Sequence, residues 1–369
     1  MRTQNEVAHV IQAIGDAIET FGLNNHQLRN LRAIRDCRTA ALGGHIDACT
    51  SCGVLQLSYN SCRNRHCPKC QGHKREEWIQ KREQELLPVP YFHVVFTLPA
   101  ELNQLTLHEP KKVYDALFAS AWQTLQVFAK KHNGQMGMIS ILHTWGQNLS
   151  LHPHLHCIVP AGVVDKYCRF KSIRSDGKFL FPVKAMSKVF RAKYVAALRQ
   201  RGINDKQLIK SLFKKEWVIY AKRPFGNPKS VIEYLGRYTH KVAISNQRIQ
   251  SIDDSTVTFG YKDYKTGATK KSMTLPHAEF IRRFAMHILP NRFVRIRHYG
   301  FLSSTWKRSK LSALRKTFHL ETTPFIAQTK LHCCVHCKVG TLVTIEGIAP
   351  RGPPSEWLTG KKIKSKKSA

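Results

Sequence analysis

Three histidines alternate in the stretch LHPHLHC, at His152, His154 and His156, and further along two tyrosines, Tyr234 and Tyr238, stand one helical turn apart in SVIEYLGRYTHKVAI. Both groups can do chemistry. Side chains alternate along a strand, so His154 and His156 share a face, with Cα atoms about 7 Å apart, while Leu155 and Cys157 pack the other. Two such imidazoles can hold one divalent ion, Mg²⁺ or Mn²⁺. That ion polarises a scissile phosphate while a tyrosine hydroxyl attacks in line. With an ordinary pKa of about 10, the phenol needs a neighbouring cation, and Lys241 follows Tyr238 by three residues. The product is a 5′-phosphotyrosine with a free 3′-OH, which conserves the energy of the phosphodiester. Rejoining then needs no ATP, consistent with the absence of a G-x-x-x-x-G-K-[ST] loop.

Each half has a blander reading. A single histidine can pack in a core, and tyrosines at i, i+4 arise from amphipathic packing alone. Their conjunction is what makes a nuclease chemistry. Pro153 removes a ladder donor, so the strand is expected to become regular only after it, which leaves His152 the weakest of the three. In the tyrosine helix Val231, Ile232, Leu235 and Val242 form the buried stripe and Glu233, Arg237 and His240 face outward, with the tyrosines on the border.

Cysteines supply a second kind of site. Cys49-x2-Cys52 and Cys67-x2-Cys70 are two knuckles at a spacing that lets four thiolates meet one tetrahedral Zn²⁺. Four thiolates leave no open coordination position, so this zinc would be structural. Cys37, His45, Cys62 and His66 are left over, for a second site or as support of the first. Around the second knuckle, SCRNRHCPKCQGHKR offers Arg63, Arg65, Lys69 and Lys74 to nucleic acid, and Arg237 is a further candidate contact. Near the end, Cys333, Cys334 and Cys337 with His332 and His336 resemble half a zinc site without an obvious partner knuckle. Zinc nucleobase deaminases are excluded: they need His-x-Glu followed by Pro-Cys-x-x-Cys, whereas His277-Ala-Glu279 comes after the cysteines.

The elements that must position these groups are legible in the periodicity. Apolar residues at three- and four-residue steps from Glu6 to Leu42 give short amphipathic helices broken at Phe21-Gly22. GHKREEWIQKREQELL is a charged helix ended by Pro88 and Pro90. YFHVVFTLP reads as a central strand with His93, Val95 and Thr97 on one face and Phe92, Val94 and Phe96 on the other. A helix over 110–131 leads to the strand-like GQMGMISILHTWGQ and then to the histidine strand. A helical stretch past Lys184, a strand at EWVIYAKRPF, a helix from Pro228 to Lys241 and a hairpin pair over 242–275 complete the pattern. Strands with short loops and no regular βαβ repeat predict an α+β fold with a largely antiparallel sheet. Residues 1–88 are expected to form a helical and zinc-ribbon-like module, 89–300 the catalytic domain, and 301–369 a basic helical region ending in a linker and the tail GKKIKSKKSA.

The charge agrees. In 369 residues, 59 Lys and Arg face 24 Asp and Glu, a net +35 spread along the chain. Such an excess suits a polyanion and a long track of phosphate contacts. No apolar run long enough for a membrane span and no signal peptide is seen, and crowded cysteines without a secretory signal fit metal ligation in a reducing cytoplasm.

The stretches HPHLHC, YLGRYTHKVAIS, YFHVVFTLP and SCRNRHCPKCQ closely resemble the rolling-circle insertion-sequence transposases of the IS-ninety-one type, members of the His-hydrophobic-His nuclease superfamily. The resemblance covers nearly the whole chain, in the family's order of zinc module, histidine strand and tyrosine helix. It implies a ferredoxin-like or RRM-like antiparallel sheet, and metal-dependent nicking and joining of single-stranded DNA at element ends and target. His154 and His156 match the metal pair, and Tyr234 and Tyr238 match the nucleophiles. A third ligand would come from His152, His93 or Gln147. It also implies a bacterial, nucleoid-associated location and, with no helicase motif visible, reliance on a host helicase, replication or supercoiling. Two alternatives stand beside it: a plasmid-type replication initiator or relaxase using the same cleavage, and a non-catalytic zinc-ribbon nucleic-acid-binding protein. A DDE-type transposase is disfavoured by the scarcity of acids.

Overall fold

The alternation read in YFHVVFT builds the molecule's principal sheet. The computed structural model describes residues 5–83, 85–173, 180–222, 230–231, 234, 236, 241–320 and 332–350. The chain opens with helices α1 (Val7–Ile14) and α2 (Asn25–Arg35). Gly22, at φ +64°, breaks the chain between them after a short 3-10 turn, and a capping box between Asn24 and Gln27 starts α2. The hairpin β1 (Gly44–Cys49) and β2 (Leu55–Tyr59) follows, then α3 (Gln71–Glu83).

From β3 (Tyr91–Thr97) the order is α4 (Asn103–His108), α5 (Pro110–Ala129), β4 (Gly137–Trp145), β5 (Leu151–Pro160), the small pair β6 (Gly162–Val164) and β7 (Phe170–Ser172), α6 (Val183–Gln200), α7 (Lys206–Lys214) and β8 (Ile219–Lys222). Strands β9 (Ile249–Ile252), β10 (Thr256–Asp263) and β11 (Thr269–Pro276) form a three-stranded meander, the expected pair of hairpins sharing their middle strand. Then come the helix His277–Ala285, β12 (Ile296–Gly300), two short helices and β13 (Leu342–Ile348).

The main sheet has the spatial order β12-β4-β5-β3-β8, and every neighbouring pair is antiparallel. Leaving aside β12 and the short inserted elements, its connectivity is β-α-β-β-α-β, the split β-α-β arrangement. Phe92, Val94 and Phe96 of β3, Met138 and Leu142 of β4, and Leu155, Cys157 and Val159 of β5 pack against Leu117, Phe118, Phe190 and Tyr194 of α5 and α6. That is one face. The opposite face carries Tyr91, Ile139, Ile141 and Ile158, packed with Val231, and the histidines beside them.

The histidine strand begins at Leu151, but its ladder with β4 slips between His143 and Trp145 and runs regularly only from His154, past Pro153, as the missing N–H leads one to expect. One expectation is corrected here. The segment beyond residue 300 is not only helix and tail, because β13 pairs antiparallel with β1 to make a three-stranded sheet with β2. The apolar clusters also cross the expected boundaries, since Val7, Val10, Ile11 and Leu31 share a core with Ile244, Phe259, Phe280 and Phe284. The linker and tail over 351–369 lie outside the described residues, as do Pro228 and most of the tyrosine helix, of which Ser230, Val231, Tyr234 and Gly236 are described as helical. Among the described residues no helix is long and apolar enough to cross a membrane.

Leu155 is fully buried between sheet and helices. Leu155→Ala should lower unfolding stability by about 2–5 kcal/mol, measured by denaturant titration.

Candidate active site

Antiparallel pairing brings three imidazoles together across two strands. His143 of β4 stands opposite His154 of β5, and Ile141 stands opposite His156. One potential ligand nitrogen from each of His143, His154 and His156 lies within 4.8 Å of the others. Ring centroids are 5.5 Å apart for His143 and His154, 4.7 Å for His143 and His156, and 4.9 Å for His154 and His156. The third member of the group is thus His143, which was not among the residues expected for that place. The signal was present in GMISILHTW: β4 alternation puts His143 on the face of Ile139 and Ile141, and a short turn over 146–150 fixes the register to β5.

The expected third ligands have other places. His152 is exposed and outside the three-imidazole group, although its ring centroid lies 5.1 Å from that of His154; its carbonyl accepts a 2.6 Å hydrogen bond from His154 Nδ1, which leaves Nε2 as the free lone pair of that imidazole. Gln147 lies in the turn after β4, where its carbonyl accepts from Arg248. His93 of β3 is buried against the site, its Nε2 2.9 Å from Nδ1 of His156 and the two rings nearly parallel at 11°.

Burial keeps His154 and His156 neutral. Desolvation pushes His154 down to about 4, and it pushes His156 well below the ordinary histidine value, with the positive charge of nearby Lys241 adding to the effect. Neutral imidazole is the form that binds metal. Divalent cations that accept nitrogen ligands fit this donor set.

Tyr234 reaches the same cluster from the other side. Its ring meets His93 edge-on at 5.0 Å, and its hydroxyl lies 3.5 Å from His93 Nδ1, long for a hydrogen bond. The helix carrying it can approach α3 closely because of Gly236, where a Cβ would lie 2.2 Å from Ile79. Lys241 is exposed beside the site. Tyr238 and Arg237 lie outside the described residues.

The cysteines make two tetrads rather than the one expected. Cys37, Cys62, Cys67 and Cys70 converge in one group, and Cys49, Cys52, Cys334 and Cys337 in another. The pairing of Cys49 and Cys52 with Cys67 and Cys70 therefore fails, for a geometric reason. Cys49 and Cys52 sit at the tip of the β1–β2 hairpin and the other knuckle follows its base, and a strand of six residues spans about 20 Å. His45 and His66 join neither group. His45 contacts Asn60 at 3.1 Å and Asp47 at 3.4 Å, while His66 is buried and held below its ordinary pKa by desolvation. The thiol of Cys333 points at the carbonyls of Cys334 and Lys338.

Two of the basic residues offered to nucleic acid are engaged inside the protein. Arg65 donates 2.9 Å to the carbonyl of Pro290 and also to that of Phe293, and Lys69 pairs with Glu6 at 2.5 Å while donating to the carbonyl of Cys37 at 3.2 Å. Lys69 thereby braces the first cysteine tetrad, and Arg65 ties its loop to the 290–293 turn. Arg63 is exposed, and Lys74 lies on α3 with its side chain outside the described residues.

Cysteine tetrads joined to a histidine-faced antiparallel sheet fit a DNA transposase, and comparison with known proteins shows that class. Residues 137–311 match the family model described as "Putative transposase", and residues 10–98 match that of the "Transposase zinc-binding domain". The chain is 39% identical to the "Putative transposase y4qJ" of Sinorhizobium fredii, over 97% of its own length and 99% of that relative's. It is 29% identical to the "Transposase for insertion sequence element IS801" of Pseudomonas savastanoi pv. phaseolicola, over 78% of its own length and 73% of that relative's. No solved structure matches it. The chain belongs to the insertion-sequence transposases of the IS-ninety-one type. The zinc-binding family segment and the cysteine tetrads together support structural Zn²⁺.

The three-imidazole group can be tested directly. His143→Ala should weaken Mn²⁺ binding by more than about tenfold, because a first ligand counts for at least as much as an outer-shell partner. His152→Ala should change it little. Titration calorimetry or Mn²⁺ electron paramagnetic resonance would show both.

Proposed function

We propose that this transposase nicks and rejoins single-stranded DNA at insertion-sequence ends through a 5′-phosphotyrosine intermediate, driving rolling-circle transposition. The observation that carries the reading is the convergence of three imidazoles, of which His154 and His156 are kept neutral by burial, and the Tyr234 side chain on one face of an antiparallel sheet. Mg²⁺ or Mn²⁺ held by His143, His154 and His156 would supply Lewis-acid polarisation of the scissile phosphate. The rest of the chemistry falls to this chain's own residues.

Proton order follows from the hydrogen bonds. When His156 keeps Nε2 as a lone pair, its proton sits on Nδ1 and is donated to His93 Nε2. The proton of neutral His93 then sits on Nδ1, which faces the Tyr234 oxygen. A donor in that place favours the phenolate, the attacking form, and Lys241 adds positive charge beside it. His93 is therefore a positioning residue between ligand and nucleophile rather than a third ligand. Tyr238 is the proposed second nucleophile, which lets one site hold two DNA ends in turn. The net charge of +35 and the exposed Arg63 suit the DNA track, with Lys74 and Arg237 as further contacts. A host helicase, replication or supercoiling would expose the single strand.

Incubation with a labelled single-stranded oligonucleotide bearing the element end, with Mg²⁺ or Mn²⁺, should give a covalent adduct on denaturing electrophoresis. The Tyr234→Phe/Tyr238→Phe double variant should give none, and an undiminished adduct would remove the tyrosines as nucleophiles. His154→Ala/His156→Ala should lose cleavage but retain DNA binding; unchanged cleavage would return the histidines to a structural role. His93→Ala should slow adduct formation by roughly 10–100-fold, the cost typical of removing a ligand's orienting partner. Joined excision products from flanking DNA would separate a transposase from a replication initiator with the same chemistry.

A further inference from the structure

The half-site near the C-terminus finds its complement 282 residues away in sequence. Cys52 Sγ lies 3.8 Å from Cys334 Sγ, Cys49 Sγ lies 3.6 Å from Cys337 Sγ, and all four sulfurs fall within 4.8 Å of one another. A tetrahedral zinc with Zn–S bonds of about 2.3 Å separates its sulfurs by about 3.8 Å. A disulfide would need about 2.05 Å, and all four cysteines are free thiols.

Backbone amides prepare the sulfurs for a cation. The N–H groups of Ser51 and Cys52 each point at Cys49 Sγ from 3.4 Å, and that of Gly340 at Cys337 Sγ from 3.3 Å. Such donors favour thiolate over thiol, and converging thiolates need a positive charge between them. The two knuckles approach so closely that a Cβ on Gly340 would stand 2.4 Å from Cys49 Sγ and 2.7 Å from Ser51 Cβ. Backbone bonds hold them in line, with Thr50 N–H donating to the Thr341 carbonyl at 3.0 Å and Cys49 in register with Leu342.

Apolar burial holds β13 only at its ends, where Leu342 and Ile348 are buried, with Ile46 of β1 buried in the same sheet. The cluster beneath it consists of Cys49, Cys334 and Leu342 with Cys337 at its edge, while Leu55, Leu57, Val343 and Ile345 of the same sheet are exposed. A core that small does not hold a three-stranded sheet, and metal is the usual remedy. The family segment for zinc binding ends at residue 98, far short of Cys334.

We propose that Cys49, Cys52, Cys334 and Cys337 form a second structural zinc site, separate from that of Cys37, Cys62, Cys67 and Cys70, which clamps the C-terminal strand β13 onto the N-terminal hairpin. The ion displaces the thiol protons to solvent and closes a loop containing the whole catalytic sheet. The C-terminal strand is thereby part of the N-terminal module. None of this depends on the tyrosine chemistry.

Metal analysis of the full chain, purified under reducing conditions, should find two zinc ions. Cys334→Ser/Cys337→Ser should keep one, and hydrogen exchange should accelerate in β1 and β13 but not in β4 and β5. Cys334→His, which preserves a zinc-binding donor set, should keep two ions and ordinary protection of β13. One zinc in the full chain, or two retained in the double serine variant, would overturn the proposal. Should that variant fail to fold, Cys334→His decides: two ions with β13 protected support the site, and one ion overturns it.

Discussion

The register between β4 and β5 is the constraint on which the site depends. His143 opposite His154 and Ile141 opposite His156 place three imidazoles on one face only because side chains alternate with a period of two. A slip of one residue would drive those imidazoles among Phe118, Phe190 and Tyr194 beneath α5 and α6, and would turn Leu155 and Cys157 outward. Burial of the apolar set therefore holds the histidine set in place. The helices need not touch the histidines to position them, since they need only bury every second residue of the strands that carry them.

The same face explains how Tyr234 is brought to the site. β3 lies beside β5, and its alternation turns His93 toward His156 while Phe92, Val94 and Phe96 face the helices. His93 in turn meets Tyr234, and Val231 of the same helix packs against Tyr91, Ile139 and Ile141, so that a sequence-distant helix is tied to the sheet. Gly236 permits this by letting the tyrosine helix approach Ile79 of α3. The tetrad of Cys49, Cys52, Cys334 and Cys337 lies where few apolar residues are buried, whereas Cys37 and Cys67 sit within a large apolar core.

Much of this was legible in the residues. Periodicity located β3, β4, β5, α5 and α6 closely, because long apolar runs at a period of two or near four have few other solutions. The pattern HPHLHC pointed to His154 and His156, which do meet. What escaped were the partners supplied by pairing between distant segments. His143 belongs to a strand whose own sequence looks like simple core, and only its register against β5 turns it into a member of the group. The knuckle Cys49-x2-Cys52 had a nearby match at Cys67-x2-Cys70, but the hairpin between them separates the two, and its true neighbour lies at Cys334 and Cys337. Likewise Arg65 and Lys69 read as DNA contacts in sequence, and only the fold reveals the carbonyls and the carboxylate that occupy them.

The most direct measurement of the central claim is mass spectrometry of the DNA-linked protein after nuclease digestion and proteolysis. Nucleotide mass should be found as a phosphodiester on a peptide containing Tyr234 or Tyr238, with the released DNA fragment ending in a free 3′-OH. Nucleotide mass on any other residue, or cleaved DNA with no peptide modified, would contradict it.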